Sequence, residues 1–190
     1  LRSYFAGNSE AQAIIEELSH SITVYRTNDT DNYRSNQLRA RYLRDNLRNR
    51  VRKAQQSEET PKILIKMGGW HIYRGMTPNN VLDVGNLAVS LARGMGGEAL
   101  NVAILCGPNS RMVDFPTREA KCSAGGLNDS LKTLIQDKAV LFDLSKVHRK
   151  LHEGAFDPSP KLKKFLWGFD AAVFIPNATP AKPIFTSGKK

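Results

Sequence analysis

The chain has 190 residues, of which 41% are hydrophobic and 24% charged, and this is enough for one domain with a real core. No apolar run approaches the ~18 residues of a membrane-spanning helix, so we expect no membrane span. The net charge is +10, and most of it comes from residues 34–53, which contain eight basic residues and a single acidic residue, Asp45. A nucleic-acid partner is therefore suggested by this stretch alone, and the rest of the chain is nearly balanced.

Helical periodicity predicts two helices in the first 60 residues. The first runs over residues 9–20, with Ser9 as its cap. A polar loop follows at residues 26–32, and Ser35 or Asn36 then caps a long helix that reaches about Ala54. Residues 55–60 read as a linker.

After Pro61 the pattern alternates between short apolar runs and helical segments. Such alternation predicts an α/β fold with a mostly parallel sheet flanked by helices. The predicted strands are residues 62–67, 100–105, 139–144 and 169–175, and the predicted helices are residues 80–95, 127–136, 145–153 and 159–167. Residues 107–126 form a long irregular segment.

The predicted organisation is a single α/β domain over residues 1–190. Residues 1–60 form a helical lead-in, residues 61–183 the strand–helix core and residues 184–190 a tail. Four strands make a thin sheet with an open edge. We therefore expect the chain to be the C-terminal half of a larger domain, whose N-terminal half lies elsewhere or on another chain.

The two cysteines, Cys106 and Cys122, have no Cys-x-x-Cys spacing, which excludes a structural zinc site of that type. A disulfide between them is possible on sequence grounds but not fixed by it. Cys106 ends an apolar run, which favours a small buried thiol. The compartment stays open between the bacterial cytoplasm and the periplasm.

The loop that follows the strand at residues 62–67 is the strongest candidate site. It reads Gly68-Gly69-Trp70-His71, and ligands of open α/β sheets bind beyond the carboxyl ends of the strands. Two glycines let a backbone turn tightly and approach a ligand closely. A histidine can bind metal or exchange a proton near neutral pH. The alternative is that His71 merely packs at a strand end.

Further along the chain, several side chains are candidates for the same site. Trp70 and Tyr73 can wall a pocket, and Arg74 can hold an anionic group. Asp83 is a carboxylate within reach of the site, in the first turn of the helix at residues 80–95. Its position there also favours an acid for purely electrostatic reasons, and its spacing from His71 is not diagnostic.

On the basic helix, Arg39, Leu43 and Asn46 share one face because they stand at i, i+4 and i+7. That face lies near the buried side, where an arginine and an asparagine need partners. We expect Arg39 and Asn46 to point toward His71. The remaining arginines form a solvated face, and a basic helix without aromatic platforms is weak evidence for a nucleic-acid site.

The pattern Arg39-x-x-x-Leu43-x-x-Asn46, followed by a linker, an apolar strand and Gly-Gly-Trp-His, resembles the C-terminal half of a known superfamily. This is the erythromycin-esterase-like, Tiki and haem-uptake ChaN-like superfamily. In its esterase branch the helix reads approximately Arg-Asp-x-x-Met-Ala-x-Asn, and the strand is followed by His-Asn-x-His. Ala40 replaces the Asp of the helix pattern in this chain.

In the loop, Gly68 and Gly69 stand where the esterase branch has His-Asn, and only His71 is kept. The resulting Gly-x-x-His form is closer to the Tiki branch, and residues 61–75 also resemble uncharacterised bacterial members. The resemblance is specific over about residues 34–92 and extends to residues 169–183. It implies an α/β fold whose pocket is built from two halves.

The branches of the superfamily differ in chemistry: ester hydrolysis by an activated water, metal-dependent peptide cleavage, or haem-iron binding. The leading expectation is a hydrolase-like domain for a small-molecule or peptide substrate, with His71 as general base or metal ligand. Arg39 would stabilise negative charge, and Asn46 would orient Arg39. One alternative is a non-catalytic protein that binds haem or a divalent metal ion through His71 and Tyr73. A second alternative is a basic nucleic-acid-binding module.

Overall fold

The structure is a computed structural model that describes residues 7–114, 118–121, 134–135 and 137–179. The chain divides into two compact units, Leu1–Asn101 and Val102–Lys190. Helices long and apolar enough to cross a membrane are absent from the described ranges. That one α/β domain spans residues 1–190 stays a prediction.

Two long helices open the first unit, α1 at Ser9–Asn28 and α2 at Asn32–Gln55. Asn8 caps α1 by accepting a hydrogen bond from the Ala11 amide at 3.0 Å, and Asp31 caps α2 in the same way. The predictions that Ser9 and Ser35 or Asn36 are the caps are therefore wrong. A cap must precede the helix with extended backbone, and Asn8 and Asp31 have that conformation.

The predicted polar loop at residues 26–32 is mostly helical. The hydroxyl of Thr27 donates to the Thr23 carbonyl at 2.8 Å, so this polar side chain is satisfied inside α1. The buried Ser35 donates to the Val24 carbonyl at 2.9 Å and so joins α2 to α1.

The third helix of this unit, α3, covers Val84–Gly94 and packs on α2. Its residue Val84 forms a buried cluster with Leu47 and Val51 of α2, against which Ile65 and Met67 pack. The helix begins four residues later than the predicted residue 80. The reason is that Asn80 has a left-handed φ of 55°, which a right-handed helix excludes.

Residues 62–67, the first predicted strand, lie outside every helix, turn and ladder of the described residues. Exposed and partly buried side chains alternate from Leu64 to Met67, as they do along an extended chain. The apolar run predicts a buried strand, whereas Leu64 is 95% exposed. Its assignment to a strand is not confirmed, because a strand also needs a hydrogen-bonded neighbour.

The described residues of the second unit contain the strands β1 Val102–Cys106, β2 Arg111–Asp114, β3 Arg118–Lys121, β4 Val140–Asp143 and β5 Ala171–Ile175. Three of them form a sheet in the order β1-β5-β4. The outer strand β1 is parallel to β5, whereas β4 is antiparallel to β5, and a separate antiparallel hairpin joins β2 and β3. The fold is therefore mixed α/β, and the prediction of a mostly parallel sheet is not confirmed.

Two short helices lie between β4 and β5: α4 at Ser145–His152 and α5 at Pro160–Gly168. The His148 Nε2 atom is 2.6 Å from the Leu166 carbonyl oxygen, and the His148 ring stacks on Trp167. This histidine therefore packs α4 against α5. Most of the predicted helix at residues 127–136 lies outside the described residues.

Cys106, the last residue of β1, is disulfide-bonded. The favoured expectation of a free buried thiol is therefore wrong, because local apolarity does not report whether a second cysteine comes within bonding distance. The other cysteine of the chain, Cys122, lies outside the described residues.

Candidate functional site

The loop after the extended segment turns sharply at Gly68, where the His71 amide donates to the Gly68 carbonyl at 2.9 Å. Neither Gly68 nor Gly69 has a positive φ. A Cβ atom on Gly69 would meet nothing within 4 Å. The turn therefore forms without the special conformational freedom of glycine, which was the reason given for these two residues from the sequence.

His71 and Asp83, both named from the sequence, meet directly. The distance from His71 Nδ1 to Asp83 Oδ2 is 2.7 Å. The Asp83 side chain is 3% exposed and that of His71 is 28% exposed. The other oxygen of Asp83 accepts from the Val84 amide at 2.7 Å, so the same carboxylate caps α3.

This geometry fixes the roles of the two ring nitrogens. An ionised carboxylate only accepts hydrogen bonds, so Nδ1 of His71 carries a hydrogen and donates the bond to Asp83 Oδ2. In the neutral ring, Nε2 then keeps its lone pair. A histidine held in this way is able to accept a proton or to bind a metal ion through Nε2.

The start of α3 also holds the backbone of the loop. The Gly85 amide donates to the His71 carbonyl at 2.8 Å. A Cβ atom on Gly85 would lie 2.4 Å from the carbonyl carbon of Ile72 and 2.6 Å from the backbone carbonyl oxygen of Tyr73. Helix and loop therefore approach each other backbone to backbone, and only glycine allows this distance.

Two asparagines complete the support of the loop. The side chain of Asn86 accepts from the Gly75 amide at 2.9 Å and donates to the Gly75 carbonyl at 3.0 Å. Asn101, 5% exposed, donates to the Ile72 carbonyl at 2.7 Å. The sequence reasoning missed Gly85, Asn86 and Asn101, because a single amide or glycine inside a helix or loop carries no periodic signal.

Trp70 and Tyr73 lie side by side in the same loop, with ring centroids 6.0 Å apart in an edge-on arrangement. Trp70 is half exposed, whereas Tyr73 is 4% exposed. Burial raises the pKa of the Tyr73 phenol above its ordinary value. Arg74, the next residue, is partly buried.

The raised pKa of Tyr73 gives a pH-dependent prediction. Its folded-state pKa exceeds the unfolded value of about 10, so its contribution to stability is present below that pH and is lost at higher pH. The unfolding free energy of the wild type is expected to fall between about pH 9 and about pH 11, and that of Tyr73→Phe to fall less. Urea unfolding across this range measures both slopes. Tyr25→Phe, which removes a 67% exposed phenol, is the matched control. Equal slopes for wild type and Tyr73→Phe would contradict the prediction.

Arg39 and Asn46 are not joined to this pair. They line a cavity of about 220 Å³ whose walls come from α1 and α2 and do not include His71. Arg39 places its guanidinium carbon 5.9 Å from the centre of the Tyr25 ring, and Asn46 is exposed. The face of α2 thus finds its partner in α1, so the predicted role of Arg39 beside His71 gains no support from its position.

The described residues contain no group of three or more His, Cys, Asp or Glu side chains that could hold a metal ion. Near the loop, His71 offers Nε2 as a potential metal ligand, because its Nδ1 atom is held by Asp83. A metal-binding role for His71 therefore stays a prediction.

Comparison of the chain with protein-family models, with curated proteins and with solved structures gives no match. The resemblance to the erythromycin-esterase-like, Tiki and ChaN-like superfamily stays a prediction carried by the residues quoted above. The hydrogen-bonded pair of His71 and Asp83 is the best-defined part of the site.

Proposed function

We propose that the chain is a hydrolase-like domain in which His71 activates a water molecule and Asp83 orients the histidine. One observation carries the proposal: a buried carboxylate 2.7 Å from Nδ1 of a partly exposed histidine. A surface histidine needs no such support. Burying a carboxylate is costly unless its oxygens are bonded, and both oxygens of Asp83 are.

The chemical step follows from the two nitrogens. Nε2 of His71 takes a proton from water while the water oxygen attacks the carbonyl carbon of an ester or peptide bond. The ring is then a cation, and Asp83 stabilises it through the Nδ1 proton without taking that proton away. The proton on Nε2 passes to the leaving alcohol or amine as the carbon–oxygen or carbon–nitrogen bond breaks.

The surrounding loop supports an organic substrate of small-molecule or peptide size. Trp70 is 50% exposed beside His71, and an exposed aromatic ring offers apolar contact to a substrate. The superfamily resemblance, which includes ester and peptide hydrolysis, agrees with this reaction class. The fold alone carries no such argument.

Metal binding without turnover is the second candidate, because a carboxylate on one ring nitrogen is also typical of metal-bound histidines. Tyr73 is a poor partner ligand, since burial raises its pKa and so disfavours the phenolate that binds iron or another metal. The absorbance spectrum and elemental analysis of the purified protein separate this candidate from a metal-free hydrolase.

His71→Ala is expected to lower kcat at least about 1,000-fold, because it removes the base that activates water. The assay uses p-nitrophenyl acetate and a panel of fluorogenic peptides, with and without EDTA. His152→Ala, which removes an exposed histidine of α4, is the control and should keep wild-type turnover. Full activity of His71→Ala on every substrate that the wild type cleaves would refute the proposal.

A further inference from the structure

The extended segment at residues 62–67 has the form of a strand without a neighbour. On one side, Ile65 and Met67 pack against the cluster of α2 and α3. Its backbone amides and carbonyls make no hydrogen bond to any residue that the structure describes. Extended backbone with unpaired groups is a template for another strand.

The side chains of this segment agree with that role. The sequence Lys-Ile-Leu-Ile-Lys-Met contains two isoleucines, whose branched side chains suit a sheet. Leu64 is 95% exposed and Ile63 is 44% exposed. A leucine so fully exposed on an ordered backbone gains burial only when a partner covers it.

Charge decides what kind of strand fits. In an extended chain, alternate side chains share a face, so Lys62, Leu64 and Lys66 point the same way, and all three are exposed. A neighbouring strand places its own side chains beside them on that face. Carboxylates beside both lysines and an apolar side chain beside Leu64 would complement all three.

A second copy of the chain fits poorly. When two such segments pair antiparallel with Leu64 at the centre, Lys62 of each copy faces Lys66 of the other. Like charges directly opposite each other destabilise a ladder.

We propose that residues 62–67 form a strand-addition site for another polypeptide, which contributes an apolar strand with an acidic residue at each end.

The probe is a fluorescein-labelled peptide, Thr-Glu-Val-Val-Val-Glu-Thr, whose palindromic core serves both strand directions. Its binding to the full chain is followed by fluorescence anisotropy. The wild type is expected to bind it at least about tenfold more tightly than the matched peptide with Lys in place of Glu. The Lys62→Glu, Lys66→Glu double variant should reverse this preference.

Leu64→Pro tests the ladder itself, because proline removes a backbone donor and clashes with continued pairing. The Leu64 side chain is 95% exposed, so the variant should keep the helical circular dichroism of the wild type. Its affinity for the peptide should fall at least about tenfold. Leu64→Val, which keeps both the backbone donor and an apolar side chain, should bind with wild-type affinity within about threefold.

Three results would overturn the proposal: no binding of the Glu peptide to the wild type, equal binding of the Glu and Lys peptides, or unchanged binding by the double charge variant. A dimer that is seen by sedimentation in the wild type and lost in Leu64→Pro would also overturn it, since the occupant would then be a second copy. Should Leu64→Pro fail to fold, the charge-reversed pair of variant and peptide still decides the outcome.

Discussion

Replacing Asp83 by asparagine is expected to lower kcat about 1,000- to 10,000-fold while the fold is retained. Asp83 uses one oxygen for the Val84 amide and the other for His71 Nδ1. Asparagine has one oxygen, and the cap at Val84 claims it. The amide nitrogen then faces Nδ1 and donates to it, so the ring proton moves to Nε2 and the base is lost.

The expected change in stability is small, about 1 kcal/mol, because the cap bond and the shape of the side chain are kept. Nitrogen-15 NMR of the histidine rings reports the tautomer of His71. If Asp83 only capped α3, the Asp83→Asn substitution would leave that tautomer unchanged. Asp83→Ala is the contrasting variant, since it also removes the cap of α3 at a further cost of about 1 kcal/mol. Turnover of Asp83→Asn within about threefold of the wild type would contradict the proposed mechanism.

Gly85→Ala is expected to destabilise the protein by about 3 kcal/mol or more, at the upper end of overpacking effects. The added methyl group would lie 2.4 Å from the carbonyl carbon and oxygen of Ile72. These are backbone atoms, which cannot swing away as the end of a flexible side chain can. The start of α3 would have to move off the loop, and the bond from the Gly85 amide to the His71 carbonyl would be lost.

The same helix offers a matched control for this substitution. A Cβ atom on Gly94 would meet nothing within 4 Å, so Gly94→Ala should stabilise the protein by about 0.5 kcal/mol through the higher helix propensity of alanine. Urea unfolding of the three proteins measures both effects. A Gly85→Ala midpoint equal to that of the wild type would show that helix and loop are not in backbone contact.

Sequence periodicity predicted the helices better than their ends. The apolar repeat located α2 and α3, but their first residues depend on which of several Asn, Asp and Ser residues has extended backbone. Periodicity also identified β4 and β5 within two residues. Their antiparallel pairing was not predictable, because the direction of a strand depends on the path of the connection and not on its own side chains.

The site shows the same division. His71 and Asp83 were both named from the sequence, yet their contact depends on how residues 72–82 fold back. That path uses a positive φ at Gly75 and at Asn80, and no local pattern predicted it. Arg39 was expected beside His71 because its helical face needed partners. The sequence could not tell that Tyr25 of α1 would supply one.

The bonds that build the site join residues close together in the chain. His71 and Asp83 are 12 positions apart, Gly75 and Asn86 are 11 apart, and Ile72 and Asn101 are 29 apart. Closing such short loops costs little chain entropy, and contacts of low sequence separation form early in folding. His71 and Asp83 are therefore expected to be ordered before the long-range pairing of β1 with β5 forms. In refolding experiments, the His71 amide should be protected from hydrogen exchange before the amides of β1 and β5 are.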